Sequence, residues 1–456
     1  MEAMYHAAVP PPASKKLGVR SGIGLVAANM IGAGVFLSAG FMAQDMAPGP
    51  ILAAWVVGAV LALAGARAYA EIARLVPRSG GEYRYLSVLL HPALGYLSGW
   101  ASLLVGFSAP VAADALAAGG FARTIVPWLD PQWTGAGLVV VLTALHVSGL
   151  KTSARTQNLL IVAKVVLLAG FVFVGFRYGA SAWPTWRPPH DAPGFPTIPF
   201  VQSLFFIAFA FSGWNAAVYA SEEFREPERT VPRAMMIGTA LVAVLYLVVN
   251  WIFVANLTPE QASVVFQYKS ARVTLGHAVV EALRGPGWAS VMSAVTVVVF
   301  VSAMSAMIFV GPRVFQAMAR DGFVPRVLAG EPGRPPVASI LVQSGLSLLF
   351  VFAFGEERLD DLLSKVGAIL TLFSALTVLG LVRAWFRPGE RARPSGVSVA
   401  SALVYVGLAG YMLWYAFHGA VSVLPWLTVI SACALVAWAL TRRALGRSRR
   451  TEDQAP

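Results

Sequence analysis

Residues 19–43 read VRSGIGLVAANMIGAGVFLSAGFMA, and no charged side chain follows Arg20 within them. An α-helix crosses the bilayer core of about 30 Å with roughly 20 apolar residues, so this segment is long enough to span a membrane. Its middle contains Gly32 and Gly34, and glycine weakens a helix interior. The segment therefore predicts a membrane-spanning helix that is interrupted halfway.

The whole chain shares this apolar character. Its 456 residues are 57% hydrophobic and 12% charged, against roughly 25% charged residues in soluble proteins, and the mean hydropathy is +0.68. Too few polar side chains are present to cover a surface that faces water. This composition excludes a soluble enzyme, a nucleic-acid-binding protein and a disordered scaffold, and it predicts an all-α polytopic membrane protein.

Twelve segments are long and apolar enough to be transmembrane helices. They are 19–43, 50–76, 93–119, 134–150, 157–178, 198–221, 232–256, 287–312, 336–354, 361–386, 397–417 and 421–441. No connection between them is long enough for a soluble domain. The longest connection contains 272–284, which is expected to form a short amphipathic helix at the membrane surface.

The basic residues predict the orientation. A net charge of +12 would indicate an anionic partner for a soluble chain, but in membrane proteins Lys and Arg concentrate in cytoplasmic loops. With the N-terminus inside, about 24 of the 34 basic residues are cytoplasmic and about 8 are outside. We therefore expect a multi-pass protein of the inner cell membrane, surrounded by lipid, with cytoplasmic tails at 1–18 and 442–456. No nucleic-acid partner is expected.

Span 6 is also interrupted, where it reads Phe209-Ala210-Phe211-Ser212-Gly213-Trp214-Asn215. Unpaired peptide groups cost several kcal/mol each in lipid, so an unwound stretch has to lie beside a cavity or a ligand. There, free N–H groups attract a carboxylate, and free carbonyls attract an ammonium or a sodium ion. Close helix packing is the alternative explanation for these glycines. Because the two interruptions open two five-helix halves of opposite topology, we favour a substrate site.

The chain resembles the amino acid–polyamine–organocation superfamily of permeases at four places. These places are similar to the family's first helix, its helix 2–3 connection, its sixth helix with the following exit, and the end of its eighth helix. In chain order they are Gly22-Ile23-Gly24 with Asn29 to Phe36, Tyr69-Ala70-Glu71 with Pro77 to Tyr83, Ser212-Gly213-Trp214 within Phe211 to Ala234, and Gly311-Pro312-Arg313 with Met318 to Gly322.

The resemblance implies a LeuT-like core of two inverted five-helix repeats, 19–178 and 198–386, with two peripheral helices at 397–441. Family members carry amino acids or related amines by alternating access. The implied substrate site consists of the two interruptions, with amides binding the α-carboxylate, carbonyls binding the α-ammonium, and one aromatic ring closing the site from outside. The amides are those of Ala33 and Gly34, and the carbonyls are those of Ile31, Phe209 and Ser212. The aromatic ring is that of Phe209. The remaining residues of the implied site are Gly32, Ala210, Phe211 and Gly213.

Lys164 lies within span 5, and an ionisable side chain inside a span is a functional candidate. Sodium-independent bacterial relatives carry a lysine on helix 5 where sodium-coupled members hold an ion. The resemblance therefore implies that no sodium is required. Because burial disfavours the charged form of a lysine, we expect Lys164 to take up and release a proton, and we hypothesise that its protonated form braces helix 5 against the unwound part of helix 1. The alternative is that its side chain extends to the cytoplasmic headgroups.

Main-chain groups specify an α-amino acid but not its side chain. Spans 1, 6, 8 and 10 contain no carboxylate at mid-membrane that would pair with a cationic side chain, which favours neutral L-amino acids. Asp114 is expected near the outer end of span 3, in contact with water, and Arg67 and Glu71 are spaced as an i,i+4 ion pair. The predicted function is secondary active, proton-coupled amino acid transport. The alternatives are an amino acid or amine exchanger and a non-transporting amino acid sensor.

Neither a metal nor an organic cofactor is expected, and neither is a catalytic residue, because the six histidines are scattered without metal-ligand spacing. Some members of the family pair with a single-span glycoprotein through a cysteine after helix 3. Residues 119–133 contain no cysteine, and Cys433 is the only one in the chain. A disulfide-linked heavy chain is therefore not expected.

Overall fold

The computed structural model describes residues 17–43, 45–179, 186, 195–256, 275–331, 334–355, 358–387, 392–420 and 423–452. These residues are predominantly helical, and no β-strand occurs among them. One isolated bridge pairs Leu17 with Phe224.

The described helices follow the predicted spans closely. In chain order they are α1 (Val19–Met30), α2 (Ala33–Met42), α3 (Pro48–Leu75), α4 (Glu82–Leu89), α5 (Pro92–Ala101), α6 (Ala109–Ile125), α7 (Pro131–Val147), α8 (Leu150–Tyr178), α9 (Thr197–Ala210), α10 (Ala216–Tyr219), α11 (Pro227–Ala255), α12 (Leu275–Arg284), α13 (Pro286–Val310), α14 (Pro312–Arg320), α15 (Val337–Phe354), α16 (Leu359–Phe386), α17 (Gly396–Tyr415) and α18 (Leu424–Glu452). A π-helical segment, Ser102–Ser108, joins α5 to α6.

Within the described part of the chain, nine helical segments are long and apolar enough to cross a membrane. Three shorter apolar helices lie at predicted spans 4, 6 and 12: α7, α9 and the Leu424–Ala439 part of α18. Helix α12 begins within the segment 272–284, where a short amphipathic helix is predicted. The prediction of an all-α polytopic membrane protein is confirmed.

Helices α1 and α2 lie at the centre of the helical assembly, and every residue of α2 is buried. Helix α8, by contrast, presents large apolar side chains on its outer face, with Val162, Val166 and Phe173 each at least 60% exposed. Such a surface is unfavourable in water but matches a lipid environment. The packing therefore places α1 and α2 away from lipid, where an interrupted backbone can be tolerated.

Small residues allow the central helices to approach closely, as is usual in membranes. Gly367 of α16 faces the backbone of α9, and a β-carbon added there would lie 2.0 Å from the carbonyl oxygen of Phe205. A backbone atom cannot move aside by changing a rotamer. Gly345 of α15, by contrast, has open space where its β-carbon would be.

We predict that Gly367→Ala destabilises the protein, because the added methyl group forces α16 away from α9. Overpacking of this kind costs about 1–3 kcal/mol of the free energy of unfolding. Thermal unfolding of the detergent-purified protein measures it. Gly345→Ala is the matched control and should leave the melting temperature unchanged or slightly higher, because alanine favours a helix over glycine. Equal melting temperatures for the two variants would contradict the packing described here.

Candidate functional site

The first break in the helices is the Ile31–Gly32 pair between α1 and α2. Helix α1 ends at Met30, both residues of the pair have extended backbone angles, and α2 begins at Ala33. The interruption predicted from the sequence is present. It leaves carbonyl groups of α1 and N–H groups of α2 without partners in their own helices.

The second break is the segment 211–215 between α9 and α10. Helix α9 ends at Ala210, and turns follow until α10 begins at Ala216. Gly213 has φ +96°, a backbone conformation that side-chain-bearing residues rarely adopt. The glycine at this position is therefore required by the turn itself.

The two breaks contact each other directly. A β-carbon on Gly34 would lie 2.3 Å from the α-carbon of Ala210, and one on Gly213 would lie 2.8 Å from the backbone of Asn29. The hydroxyl of Tyr246 on α11 joins them, since its oxygen lies 2.6 Å from Met30 O and 2.9 Å from Ala210 O. The last carbonyls of α1 and α9 thus share one donor.

Lys164 on α8 is buried, with 1% of its surface exposed. Its ammonium donates to the carbonyl oxygens of Ala28 at 3.0 Å and of Ile31 at 2.6 Å. The side chain therefore does not extend to the headgroups, and the alternative explanation of its position is wrong. Lys164 thus contacts the end of α1 and the first break, and its role as a brace stays a prediction.

Asp114 on α6 lies at the other end of the first break. It is 1% exposed, and its Oδ1 accepts a hydrogen bond from the N–H of Ala33 at 2.6 Å. The expectation that Asp114 contacts water is wrong. Span 3 was predicted to end at residue 119, whereas α6 continues to Ile125 and places Asp114 about 17 Å from the end of the helix.

The predicted site residues divide into two groups. Ile31, Gly32, Ala33, Gly34, Phe209 and Ala210 are packed between helices and do not line the cavity described next. Two of the carbonyls predicted for an ammonium are engaged within the chain: Ile31 O by Lys164, and Phe209 O by the N–H of Ser212 at 2.9 Å. Phe211, Ser212 and Gly213 do line the cavity.

The cavity lies beside the second break and is bounded by aromatic rings, hydroxyl groups and one carboxylate. Its lining comprises Asn29, Gly58, Leu61, Ala62, Glu82, Gly106, Phe107, Ala208, Phe211, Ser212, Gly213, Trp214, Asn215, Tyr219, Met307, Leu370, Thr371, Ser374 and Tyr405. Two of these residues, Gly106 and Phe107, belong to the π-helical segment. Such segments occur frequently at functional sites.

Glu82 at the start of α4 supplies the carboxylate. Its Oε1 accepts hydrogen bonds from the hydroxyls of Tyr69 and Ser374, and the amide of Asn215 lies at 3.4 Å. Burial raises the pKa of the Glu82 carboxyl group, and the bonds from Tyr69 and Ser374 oppose that shift. Among the described residues no Lys or Arg forms an ion pair with it.

Other charged residues near the helix ends form ion pairs with one another. Glu71 forms a close ion pair with Arg74 at 2.7 Å, and Arg67, at the predicted i,i+4 spacing, also interacts with it electrostatically. The exposed carboxylates after α10 reach across to α14, with Glu223 pairing with Arg313 and Glu222 lying 3.6 Å from Arg320. These pairs connect the second break to the end of α13 and α14.

Three residues of the site were not identified from the sequence: Asp114, Tyr246 and Glu82. Asp114 gave the one detectable signal, because it is a charged residue inside a span. Tyr246 could not be distinguished from an ordinary core aromatic. Glu82 belongs to the Pro77–Tyr83 pattern of the helix 2–3 connection. Nothing in that pattern indicates that the connection folds back into the helical assembly.

The chain is similar in sequence to known permeases and amino acid transporters along most of its length. The family described as "Amino acid permease" matches residues 17–440. The mouse "Large neutral amino acids transporter small subunit 2" is 27% identical over 417 residues, covering 88% of this chain and 76% of that protein. The mouse "b(0,+)-type amino acid transporter 1" is 26% identical, covering 88% and 82%, and the mouse "Asc-type amino acid transporter 1" is 26% identical, covering 89% and 78%. Because the family match extends over most of the 456 residues, the chain belongs to the amino acid permease family and is a transporter, not an enzyme.

Proposed function

We propose that the protein moves neutral L-amino acids across the inner cell membrane by alternating access, with protons as the coupling ion. The observation that carries the proposal is the direct contact of two helix breaks at the buried centre of the assembly. Breaks of this kind present main-chain N–H and carbonyl groups to a zwitterion. We propose that the α-carboxylate and α-ammonium groups of the amino acid bind at Ile31 to Gly34 and at Phe209 to Gly213.

The contacts of Lys164 support a role in coupling. A charge that binds one carbonyl in the last turn of α1 and one in the first break links the position of α8 to the conformation of α1 and α2. When the ammonium loses its proton, these charge-assisted hydrogen bonds become weaker. Lys164 is accordingly the proposed proton carrier, and its protonation state sets how firmly α8 holds the break.

The preference for neutral amino acids has two supports. Spans 1, 6, 8 and 10 contain no carboxylate at mid-membrane that would pair with a cationic side chain. A relative that aligns with 88% of this chain is named "Large neutral amino acids transporter small subunit 2". We further propose twelve transmembrane helices arranged as inverted repeats 19–178 and 198–386, with 397–441 peripheral and both termini cytoplasmic. We propose no disulfide-linked heavy chain for this protein, because the segment 119–133 has no cysteine.

We predict that purified protein in proteoliposomes accumulates labelled neutral amino acids when an inward proton gradient is applied without sodium. The gradient supplies the free energy for uptake against a concentration difference. The measurement is the initial rate with and without the gradient, with empty liposomes as the baseline. Uptake only into vesicles preloaded with amino acid would replace the symport proposal with exchange. Absence of uptake in both conditions, from folded protein, would contradict transport of these substrates.

Lys164→Ala is expected to abolish the acceleration by the proton gradient and to lower uptake at least tenfold. The substitution removes both the titrating group and the hydrogen bonds to Ala28 and Ile31, and charged hydrogen bonds contribute about 1.5–3 kcal/mol each. Lys365→Ala is the matched control, because this lysine pairs with Asp361 near the start of α16. Its uptake should match that of the unaltered protein. Unchanged turnover and pH dependence in Lys164→Ala would remove Lys164 from the mechanism.

A further inference from the structure

The first break already holds a carboxylate and an ammonium, both contributed by the chain. Asp114 accepts from the N–H of Ala33 at the start of α2, and Lys164 donates to the carbonyl of Ile31 at the end of α1. An amino acid at the same break would present the same two groups to the same two kinds of partner. The side chains of Asp114 and Lys164 therefore occupy the positions that a zwitterionic substrate requires.

The Asp114 carboxylate fills its position completely. A β-carbon on Gly32 would lie 2.9 Å from Oδ1 and 3.0 Å from Oδ2, so the carboxylate packs against the α-carbon of that glycine. On the neighbouring side, Ala210 closes the space at Gly34. A second carboxylate cannot reach the Ala33 amide without displacing the first.

The hydrogen bonding of Asp114 makes displacement feasible. Its Oδ2 is buried and accepts no hydrogen bond from the described residues, so one oxygen alone is held. The N-terminus of α2 attracts a substrate carboxylate as well as that of Asp114, because the attraction is electrostatic. An incoming carboxylate that also has an ammonium bound nearby can therefore compete with Asp114.

Few titratable groups surround Asp114. Of the helices that pack on α6, α2, α13 and α15 carry no titratable side chain. Lys164 on α8 and Tyr246 on α11 interact with it electrostatically. The remaining groups on packed helices are His146 of α7, which lies 2.9 Å from Ser305 Oγ, and Asp360, Asp361, Lys365 and Arg383 near the ends of α16.

We infer that Asp114 is a built-in competitor for the substrate carboxylate: it caps α2 in the empty transporter and is displaced when an amino acid binds. This inference rests on the proposed function. The displaced carboxylate stays in a buried environment where an unpaired charge is costly, so it takes up a proton. Binding of an amino acid is thus coupled to protonation of Asp114, whereas a simple amine, which lacks a carboxylate, needs no displacement.

The test compares the binding of L-leucine with that of its decarboxylated analogue, 3-methylbutylamine. Binding to the detergent-purified protein is measured at acidic and alkaline pH as the rise in melting temperature that the compound causes. The unaltered protein should bind leucine more tightly at acidic pH. Asp114→Ala leaves the position empty, so leucine affinity at alkaline pH should rise about tenfold or more and should depend less on pH than in the unaltered protein. Asp114→Asn keeps an acceptor for the Ala33 amide but cannot be protonated, so its leucine affinity should also depend less on pH than in the unaltered protein, with Lys164 as the group that still titrates.

Asp361→Asn is the matched control, because it removes a partly exposed carboxylate on α16, and it should retain the pH dependence. The inference is overturned if Asp114→Asn keeps the pH dependence of the unaltered protein, or if folded Asp114→Ala fails to bind leucine. It is also overturned if the unaltered protein binds the amine with the pH dependence of leucine. Binding is measured without vesicles, so a protein that binds as expected but shows no uptake would contradict the proposed transport and leave the displacement of Asp114 supported.

Discussion

The requirement that every peptide group inside a membrane protein finds a hydrogen-bonding partner governs this structure. Two helices are interrupted at the buried centre, and each interruption releases backbone groups that lipid cannot satisfy. The chain satisfies them with side chains from other helices: Lys164 from α8, Asp114 from α6 and Tyr246 from α11. Each of these side chains ties a separate helix to α1 and α2.

This arrangement makes the centre both stable and responsive. In the proposed mechanism, a carbonyl bound by an ammonium, or an amide bound by a carboxylate, changes partner when a ligand of similar chemistry binds. Asp114 of α6 and Lys164 of α8 contact the first break through hydrogen bonds of this kind. Ligand binding and the relative positions of these helices are therefore linked by the same few hydrogen bonds.

The cavity beside the second break is also lined by side chains that make contacts between different helices. Glu82, which starts α4, is held by hydroxyls from α3 and α16, while Trp214 packs against the ring of Tyr405 on α17. Ion pairs between the segment after α10 and α14 lie outside it. The second break is thus continuous with polar contacts that connect it to the ends of several helices.

The sequence by itself determined the membrane location, the helical class, the approximate span boundaries and the positions of both breaks. These follow from local composition: about 20 apolar residues make a span, and Gly32 and Gly213 mark the points where a helix cannot continue easily. It also identified Lys164, since a lysine within an apolar run is conspicuous wherever it points.

Only the tertiary structure decided what the breaks contact. Asp114 is distant in sequence from Ala33, and its depth depended on a helix that continues beyond the predicted end of span 3. Glu82 enters the cavity from a connection that composition alone would place in water. Such pairings depend on how helices pack, because the partner of an unpaired backbone group is chosen by proximity in space rather than along the chain.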